Sequence, residues 1–120
     1  MKIAISCQEK SIDADVDPRF GRAPYFCIYD TETDSCEFID NQQTLDSPSG
    51  AGVQSAQNVV NAGVSALLTG HCGPKAFRAL SAAKIKIYTE VAGTVQEAVS
   101  SFRNDALTPA QAADVEGHWI

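Results

Sequence analysis

A short apolar run over residues 64–69 leads through a Gly-His-Cys-Gly turn into a helical pattern that begins at Pro74. An apolar run of this length before a helix is typical of a buried strand in an open α/β sheet. Such sheets bind ligands at the carboxyl ends of their strands, where the amides of the next helix favour anions. The turn also brings an imidazole, a thiol and an ammonium group to this place, from His71, Cys72 and Lys75. These residues mark the first candidate ligand site.

Short apolar or β-branched runs predict five strands. They are residues 3–7, 25–29, 36–39, 64–69 and 85–88. A polar turn separates the second run from the third, which predicts an antiparallel hairpin. Helical crossovers join parallel strands, so we expect the first strand beside the strand over residues 64–69. Cys7 and Cys72 would then follow neighbouring strand ends and face one crevice.

Helical periodicity predicts three helices. One covers residues 50–61, one begins at Pro74, and one begins at Val95 behind a capping box of Thr94 and Glu97. The order of elements predicts a three-layer α/β fold, in which the antiparallel hairpin makes the five-stranded sheet mixed.

Length and charge limit the class of protein. The 120 residues suffice for one domain with a core, which we expect over residues 1–107, followed by a tail over residues 108–120. The net charge of −6 argues against a nucleic-acid binder. No stretch approaches the ~18 apolar residues of a membrane span and no signal peptide is visible, so we expect no membrane association and a cytoplasmic location.

The four cysteines include no Cys-x-x-Cys pair. Their spacing argues against a zinc site of sequence-adjacent ligands and against a disulfide framework. We interpret Cys7, Cys27 and Cys36 as free, buried, small hydrophobic residues.

A second candidate site lies before the second strand, where Arg19 and Arg22 flank a glycine. Guanidinium groups are planar, weakly hydrated donors that suit anions. Two alternatives stay open. The arginines could pair with Asp13, Asp15 or Asp17 as a structural clasp, or these aspartates could hold Mg²⁺ in a hydrolase or nuclease.

A small-residue loop over residues 47–52 opens the first helix, and Gly50, Ala51 and Gly52 let backbone N–H groups approach a ligand closely. This loop and the turn at Gly73 suit a phosphate, an oxyanion or a sulfide cluster, although both could be ordinary turns. The chain has neither a P-loop nor a dinucleotide-binding glycine pattern, so nothing supports ATP or dinucleotide binding.

His71 and Cys72 offer soft ligands, which favour copper(I), iron–sulfur or molybdenum–sulfur chemistry over Mg²⁺. A catalytic cysteine–histidine pair is a rival interpretation of the same two residues. Adjacent residues on an extended segment point apart, so the contact that such a pair needs is geometrically poor.

Motifs in this order along the chain resemble the dinitrogenase iron–molybdenum cofactor biosynthesis family. They read Asp17-x-Arg19-Phe20-Gly21-Arg22-x-x-Tyr25-Phe26, Gly50-Ala51-Gly52, Gly70-x-Cys72-Gly73-Pro74-x-Ala76-Phe77, Ile85-Lys86-Ile87-Tyr88 and Gly93-Thr94-Val95-x-Glu97-Ala98-Val99. The resemblance covers residues 1–107. It implies a ribonuclease H-like three-layer α/β fold and a protein that binds or carries a preassembled metal–sulfur cluster without being an enzyme.

Within the family, this single-domain chain is most similar to the branch that holds an anionic molybdenum–copper sulfide cluster non-covalently. An iron–molybdenum–sulfur cluster is the alternative cofactor. The resemblance implies a binding surface with Cys72 and His71 as candidate direct metal ligands. Its residues are Arg19, Phe20, Arg22, Gly50, Ala51, Gly52, His71, Cys72, Gly73, Pro74 and Lys75.

A sulfide-coated anion of this kind needs amide dipoles, cations and an apolar wall rather than a protein ligand. Phe20 and Phe77 could form that wall. Two other functions remain as alternatives: the Mg²⁺-dependent hydrolase or nuclease, and a regulatory module that acts on a partner ATPase or scaffold protein.

Overall fold

The computed structural model describes residues 1–41 and 50–111. The strands are β1 (Lys2–Cys7), β2 (Tyr25–Asp30), β3 (Ser35–Asp40), β4 (Ala66–Leu68) and β5 (Lys86–Tyr88). The helices are α1 (Gly50–Asn61), α2 (Pro74–Ala82) and α3 (Val95–Arg103), and a 3-10 helix covers Phe20–Arg22. In the described part of the chain, no helix is long and apolar enough to cross a membrane.

The strands form one mixed sheet in the order β3-β2-β1-β4-β5. β1 pairs antiparallel with β2 and β2 pairs antiparallel with β3, whereas β1–β4 and β4–β5 are parallel. Ile5 shows the central register, because it lies between Cys27 of β2 and Leu68 of β4. The predicted mixed sheet, its hairpin and the neighbouring position of the first and fourth strands are confirmed. The ribonuclease H-like label stays a prediction.

Helices cover both faces of the sheet and create two cores. α1 and α2 pack on one face, with Leu80 of α2 fully buried against Phe26 and Leu67 of the sheet. α3 packs on the other face, where Val95 lies in a core with Ile3 and Ile5. Each large apolar side chain that is fully buried stabilises the fold by about 1.5–3 kcal/mol.

The expectation that Cys7 and Cys72 face one crevice is wrong. Cys7 lies in the core beneath α3, and Cys72 lies in the core beneath α1 and α2. Successive side chains of a strand point to opposite faces of the sheet. Cys7 therefore points to the same face as Ile3 and Ile5, and Ala4 points to the other. The sheet separates the two thiols.

α3 begins with the predicted capping box. The Glu97 backbone N–H donates to Thr94 Oγ1 at 3.2 Å, and the Thr94 N–H donates to Glu97 Oε1 at 2.9 Å. These bonds satisfy two helix-terminal donors that α3 itself cannot. Since α3 covers one whole core, its start contributes to the stability of the domain.

We expect Thr94→Ala to lower the free energy of unfolding by about 1 kcal/mol, the usual loss for an N-cap hydroxyl. Urea denaturation measures this change. Thr94→Ser is the matched control, because it keeps the accepting oxygen and should retain most of the stability. Equal losses in the two variants would contradict the capping role.

Candidate functional site

Two loops meet where β1 and β4 end, at what we call the carboxyl edge of the sheet. The arginine segment, residues 17–22, follows β1, and the cysteine turn, residues 69–73, follows β4. The His71 N–H donates to the Pro18 carbonyl oxygen at 2.8 Å, and the Phe20 N–H donates to the His71 carbonyl oxygen at 3.2 Å. Arg19 and His71 are thereby paired as on two parallel strands.

This pairing decides which side chains reach the surface. Paired residues point to the same side and their neighbours to the other. Arg19 is exposed and His71 is half-buried, whereas Phe20 and Cys72 are both 0% exposed. The Phe20 ring packs against Phe26, with 5.4 Å between ring centroids.

The inward position of Phe20 and Cys72 bears on their predicted roles. Phe20 belongs to the core under α1 and α2 and not to an open wall. The Cys72 Sγ lies 3.8 Å from the Gly73 carbonyl oxygen, on the inner side of the turn. His71 and Cys72 therefore do not converge on one ion from the surface. Their assignment as cluster contacts or direct ligands stays a prediction.

Gly70 allows the two loops to approach. A Cβ on Gly70 would lie 2.5 Å from the Pro18 Cα and 2.6 Å from the Pro18 carbonyl oxygen. Both atoms belong to the backbone and cannot move aside as a flexible side chain would. The sequence motif contains Gly70, but sequence reasoning did not include it in the site, because Pro18 is distant along the chain.

Buried polar groups anchor the arginine segment to the sheet. The Ser6 Oγ donates to the Asp17 carbonyl oxygen at 2.8 Å and lies 2.8 Å from Thr69 Oγ1. The Asp17 N–H donates to the Ser6 carbonyl oxygen, also at 2.8 Å. Sequence reasoning missed Ser6 and Thr69, whose only signal was a hydroxyl at the end of each central strand.

The aspartates of this region do not form the predicted alternatives. The Asp17 carboxylate is buried and accepts the backbone N–H of Arg19 at 2.9 Å, while Asp13 and Asp15 are exposed. Among described residues, no three His, Cys, Asp or Glu side chains could hold a metal ion together. Neither Arg19 nor Arg22 forms an ion pair with another described residue. The described residues therefore contain no clasp between these arginines and the aspartates.

The start of α2 faces the same edge. Gly73 is its N-cap and makes no side-chain capping bond, Pro74 occupies the first turn, and the Lys75 side chain is exposed. The helix dipole places partial positive charge at this end. Lys75 adds a full positive charge beside it, and no ion pair between described residues neutralises that charge.

α1 completes the surroundings of the edge. It packs against both the 3-10 helix and α2. Asn41 ties the two sides together, because its side-chain amide donates to the Ala23 carbonyl oxygen at 2.7 Å and to Ser55 Oγ of α1 at 2.9 Å. Gly50 is the first residue of α1 and Gly52 is buried; residues 47–49 of the predicted loop lie outside the described residues.

The structure thus brings most of the predicted residues to one edge. Arg19 and the turn His71–Lys75 are joined directly, and α1 contacts the segment that carries Arg22. Exposed cations and two helix starts share this region of a chain whose net charge is −6. The arrangement favours an anionic ligand held by amides and cations.

The cysteines differ in accessibility. Burial raises the pKa of the Cys7 thiol to about 11. Burial, followed by the neighbouring Cys36 and Cys7 thiols, raises the pKa of the Cys27 thiol to about 12. The interpretation of Cys7 and Cys27 as free and buried is confirmed. Cys36 is also free, but its predicted burial is wrong, because it is exposed on the edge strand β3.

We expect one fast-reacting thiol per native chain in a titration with Ellman's reagent, because only exposed thiols ionise and react readily. Cys36→Ala should remove the fast phase, and unfolding should release the buried thiols. A fast phase that persists in Cys36→Ala would show that one of the buried cysteines is accessible.

Comparisons with known proteins agree with this fold. A family model described as dinitrogenase iron-molybdenum cofactor matches residues 1–105. The apo form of the orange protein from Desulfovibrio gigas is 38% identical with a TM-score of 0.90, and the match covers 95% of this chain and 96% of that protein. A Thermotoga protein of the DUF35 family is 36% identical with a TM-score of 0.81, over 97% of this chain and 98% of that one.

An uncharacterised protein of Methanocaldococcus jannaschii is 27% identical over 107 residues, which is 85% of each chain. The residues that the family model matches include the arginine segment and the cysteine turn. The carboxyl edge therefore lies within the shared part of the chain.

Proposed function

Because this chain belongs to the dinitrogenase iron–molybdenum cofactor family, we propose that it binds and carries an anionic metal–sulfur cluster at the carboxyl edge, without catalytic turnover. The pairing of Arg19 with His71 is the observation that carries this proposal. It fixes the backbone of an exposed arginine beside the turn that leads into α2, where the helix dipole favours negative charge.

The chemistry of such a cluster fits this edge. The outer sulfides of the cluster accept hydrogen bonds from the protein. The metal ions of the cluster need no direct bond to a protein atom. Cationic donors and backbone amides form charge-assisted contacts with the sulfides, which are about twice as strong as neutral ones. Arg19, Arg22 and Lys75 supply the cations, and the inward Cys72 is not needed as a ligand.

We propose a molybdenum–copper sulfide cluster as the cargo, with an iron–molybdenum–sulfur precursor as the alternative. The likeness to the orange protein over nearly the whole chain supports the first, and the description of the family supports molybdenum in either. A partner ATPase or scaffold protein, on which a regulatory module would act, stays a prediction from the sequence.

The test uses the purified apo protein. Tetrathiomolybdate and Cu(I) are added together without oxygen, and the protein is desalted before its visible absorption and metal content are measured. A retained coloured species with molybdenum and copper in fixed ratio, released unchanged on unfolding, supports the proposal. Absence of retained metal after desalting, for this mixture and for an iron–molybdenum–sulfur precursor, would overturn it.

The enzyme alternative is tested separately with Mg²⁺ and model phosphodiester substrates. We expect no cleavage, because the described residues build no carboxylate group able to hold the metal ion. Cleavage that depends on Mg²⁺ and is lost in Asp13→Asn or Asp15→Asn would contradict a role without turnover.

A further inference from the structure

Two cysteines lie on neighbouring strands, on the sheet face that α3 covers. Cys27 of β2 pairs with Phe38, and Cys36 of β3 pairs with Tyr29, so the two cysteines are diagonal neighbours on adjacent antiparallel strands. They share one face because residues at even spacing along paired strands point to the same side. Cys27 is fully buried and Cys36 is exposed.

A cavity of about 390 Å³ has both cysteines among its lining residues. Apolar side chains of Ile12, Val95 and Val99 form part of its lining, and Arg103 of α3 contributes a guanidinium group. Burial is the largest cause that raises the pKa of the Cys27 thiol, and the neighbouring Cys36 and Cys7 thiols raise it further. The lining thus combines a buried cysteine, an exposed cysteine and the Arg103–Asp34 ion pair with apolar side chains.

We propose that Cys27 and Cys36 bind one monovalent thiophilic metal ion of the Cu(I) type between their sulfurs. Thiolates select soft ions such as Cu(I). Zinc sites in proteins use three or four side-chain ligands, and the described residues provide no cluster of three at this cavity. Two thiolates alone satisfy an ion that accepts two-coordinate, linear geometry.

The strand register favours a bridging metal over a disulfide. Diagonal positions on antiparallel strands lie about 7–8 Å apart, which exceeds the reach of about 7 Å between the Cα atoms of a disulfide. A metal ion with metal–sulfur bonds of about 2.3 Å holds the two sulfurs roughly 4–5 Å apart and so spans a wider gap.

Binding changes the charge in the cavity. On binding, two S–H bonds break, two sulfur–metal bonds form and two protons leave to solvent, so the bis-thiolate complex carries one negative charge. Arg103 lines the same cavity and lies near this charge, although it is already ion-paired with Asp34 of the same lining. Its guanidinium already donates to the Tyr29 hydroxyl at 2.5 Å and lies 3.4 Å from Asp34 Oδ1, which holds it in position.

This site is independent of the proposed cluster edge. Cys27 belongs to the core beneath α3, whereas Phe20 and Cys72 belong to the core on the other face of the sheet. Loading one face with a single ion therefore requires no residue that the anionic cluster would touch.

The experiment titrates reduced protein with Cu(I) alone, without oxygen and without thiomolybdate, against a chromophoric Cu(I) chelator. We expect one tightly bound ion and a thiolate-to-copper charge-transfer band in the ultraviolet. Cys36→Ala should weaken binding by more than about 100-fold, since the loss of outer partners alone costs 10–100-fold. Cys36 is exposed, so this variant should fold normally.

Glu37→Ala is the matched control, because Glu37 is exposed on the same strand but its side chain points to the opposite face of the sheet. It should bind Cu(I) as the parent does. Affinity should also rise by about tenfold per pH unit for each proton released, because the metal displaces thiol protons. Undiminished tight binding in Cys36→Ala, or failure of the parent to compete with the chelator, would overturn the proposal.

Discussion

Replacing Arg19 and Lys75 together with glutamine is expected to weaken retention of the cluster by at least about 100-fold. Each side chain would make charge-assisted hydrogen bonds to the outer sulfides, and a hydrogen bond to a charged group contributes about 1.5–3 kcal/mol. Both side chains are exposed, so their replacement should leave the free energy of unfolding nearly unchanged. Equilibrium dialysis of the loaded protein, with molybdenum measured on both sides, gives the change in affinity.

A matched control separates a local effect from a general effect of charge. Lys2 begins β1 and Lys84 follows the end of α2, so both lie away from the carboxyl edge. Replacing these two lysines with glutamine lowers the net charge by the same amount. We expect full retention of the cluster in this control. Equal losses in the two double variants would mean that the anion responds to overall charge, and the edge would not be its binding site.

Gly70→Ala is expected to destabilise the domain and to abolish cluster retention. The new Cβ would meet the Pro18 backbone at 2.5 Å, and neither loop can yield without breaking the bonds between Pro18, His71 and Phe20. Overpacking of this kind costs about 1–3 kcal/mol or more. Urea denaturation measures the stability, and dialysis under native conditions measures the retention.

Gly63→Ala provides the comparison for this variant. Gly63 has a φ of +74° and open space around its Cα, so alanine there is strained without touching a neighbour. The expected cost is about 1–2 kcal/mol, similar to that at Gly70, but the carboxyl edge is left intact. Loss of the cluster in Gly70→Ala alone would assign the effect to the edge, whereas equal retention in both variants would contradict the role of the close approach.

Local signals in the sequence were sufficient for most of the fold. The capping box at Thr94, the proline at the start of α2 and the apolar runs of the strands are each encoded within a few neighbouring residues. Boundaries were less accurate: the run over residues 64–69 contains a strand of three residues, Ala66–Leu68. Val64 and Thr69 are buried by other contacts, which periodicity alone does not distinguish from strand pairing.

The sequence predicted which residues lie near the carboxyl edge, but not the direction of their side chains. Phe20 and Cys72 looked like surface contacts because both lie in polar, glycine-rich turns. Their inward direction follows from the pairing of Arg19 with His71, which joins residues far apart in the chain. The exposure of Cys36 has a similar cause, because it depends on β3 being the edge strand of the sheet. The residue pattern within one segment therefore predicts neither the inward direction of Phe20 and Cys72 nor the exposure of Cys36.

The anchoring of the arginine segment by Ser6 and Thr69 has a consequence for how a ligand is bound and released. A binding surface that is already rigid loses little conformational entropy when its guest arrives, so its affinity does not depend on folding around the guest. Loading and unloading of the proposed cluster would then take place on a preorganised surface of fixed shape. Direction of transfer would be decided by the relative affinities of donor and recipient, and the lifetime of the loaded state by dissociation alone.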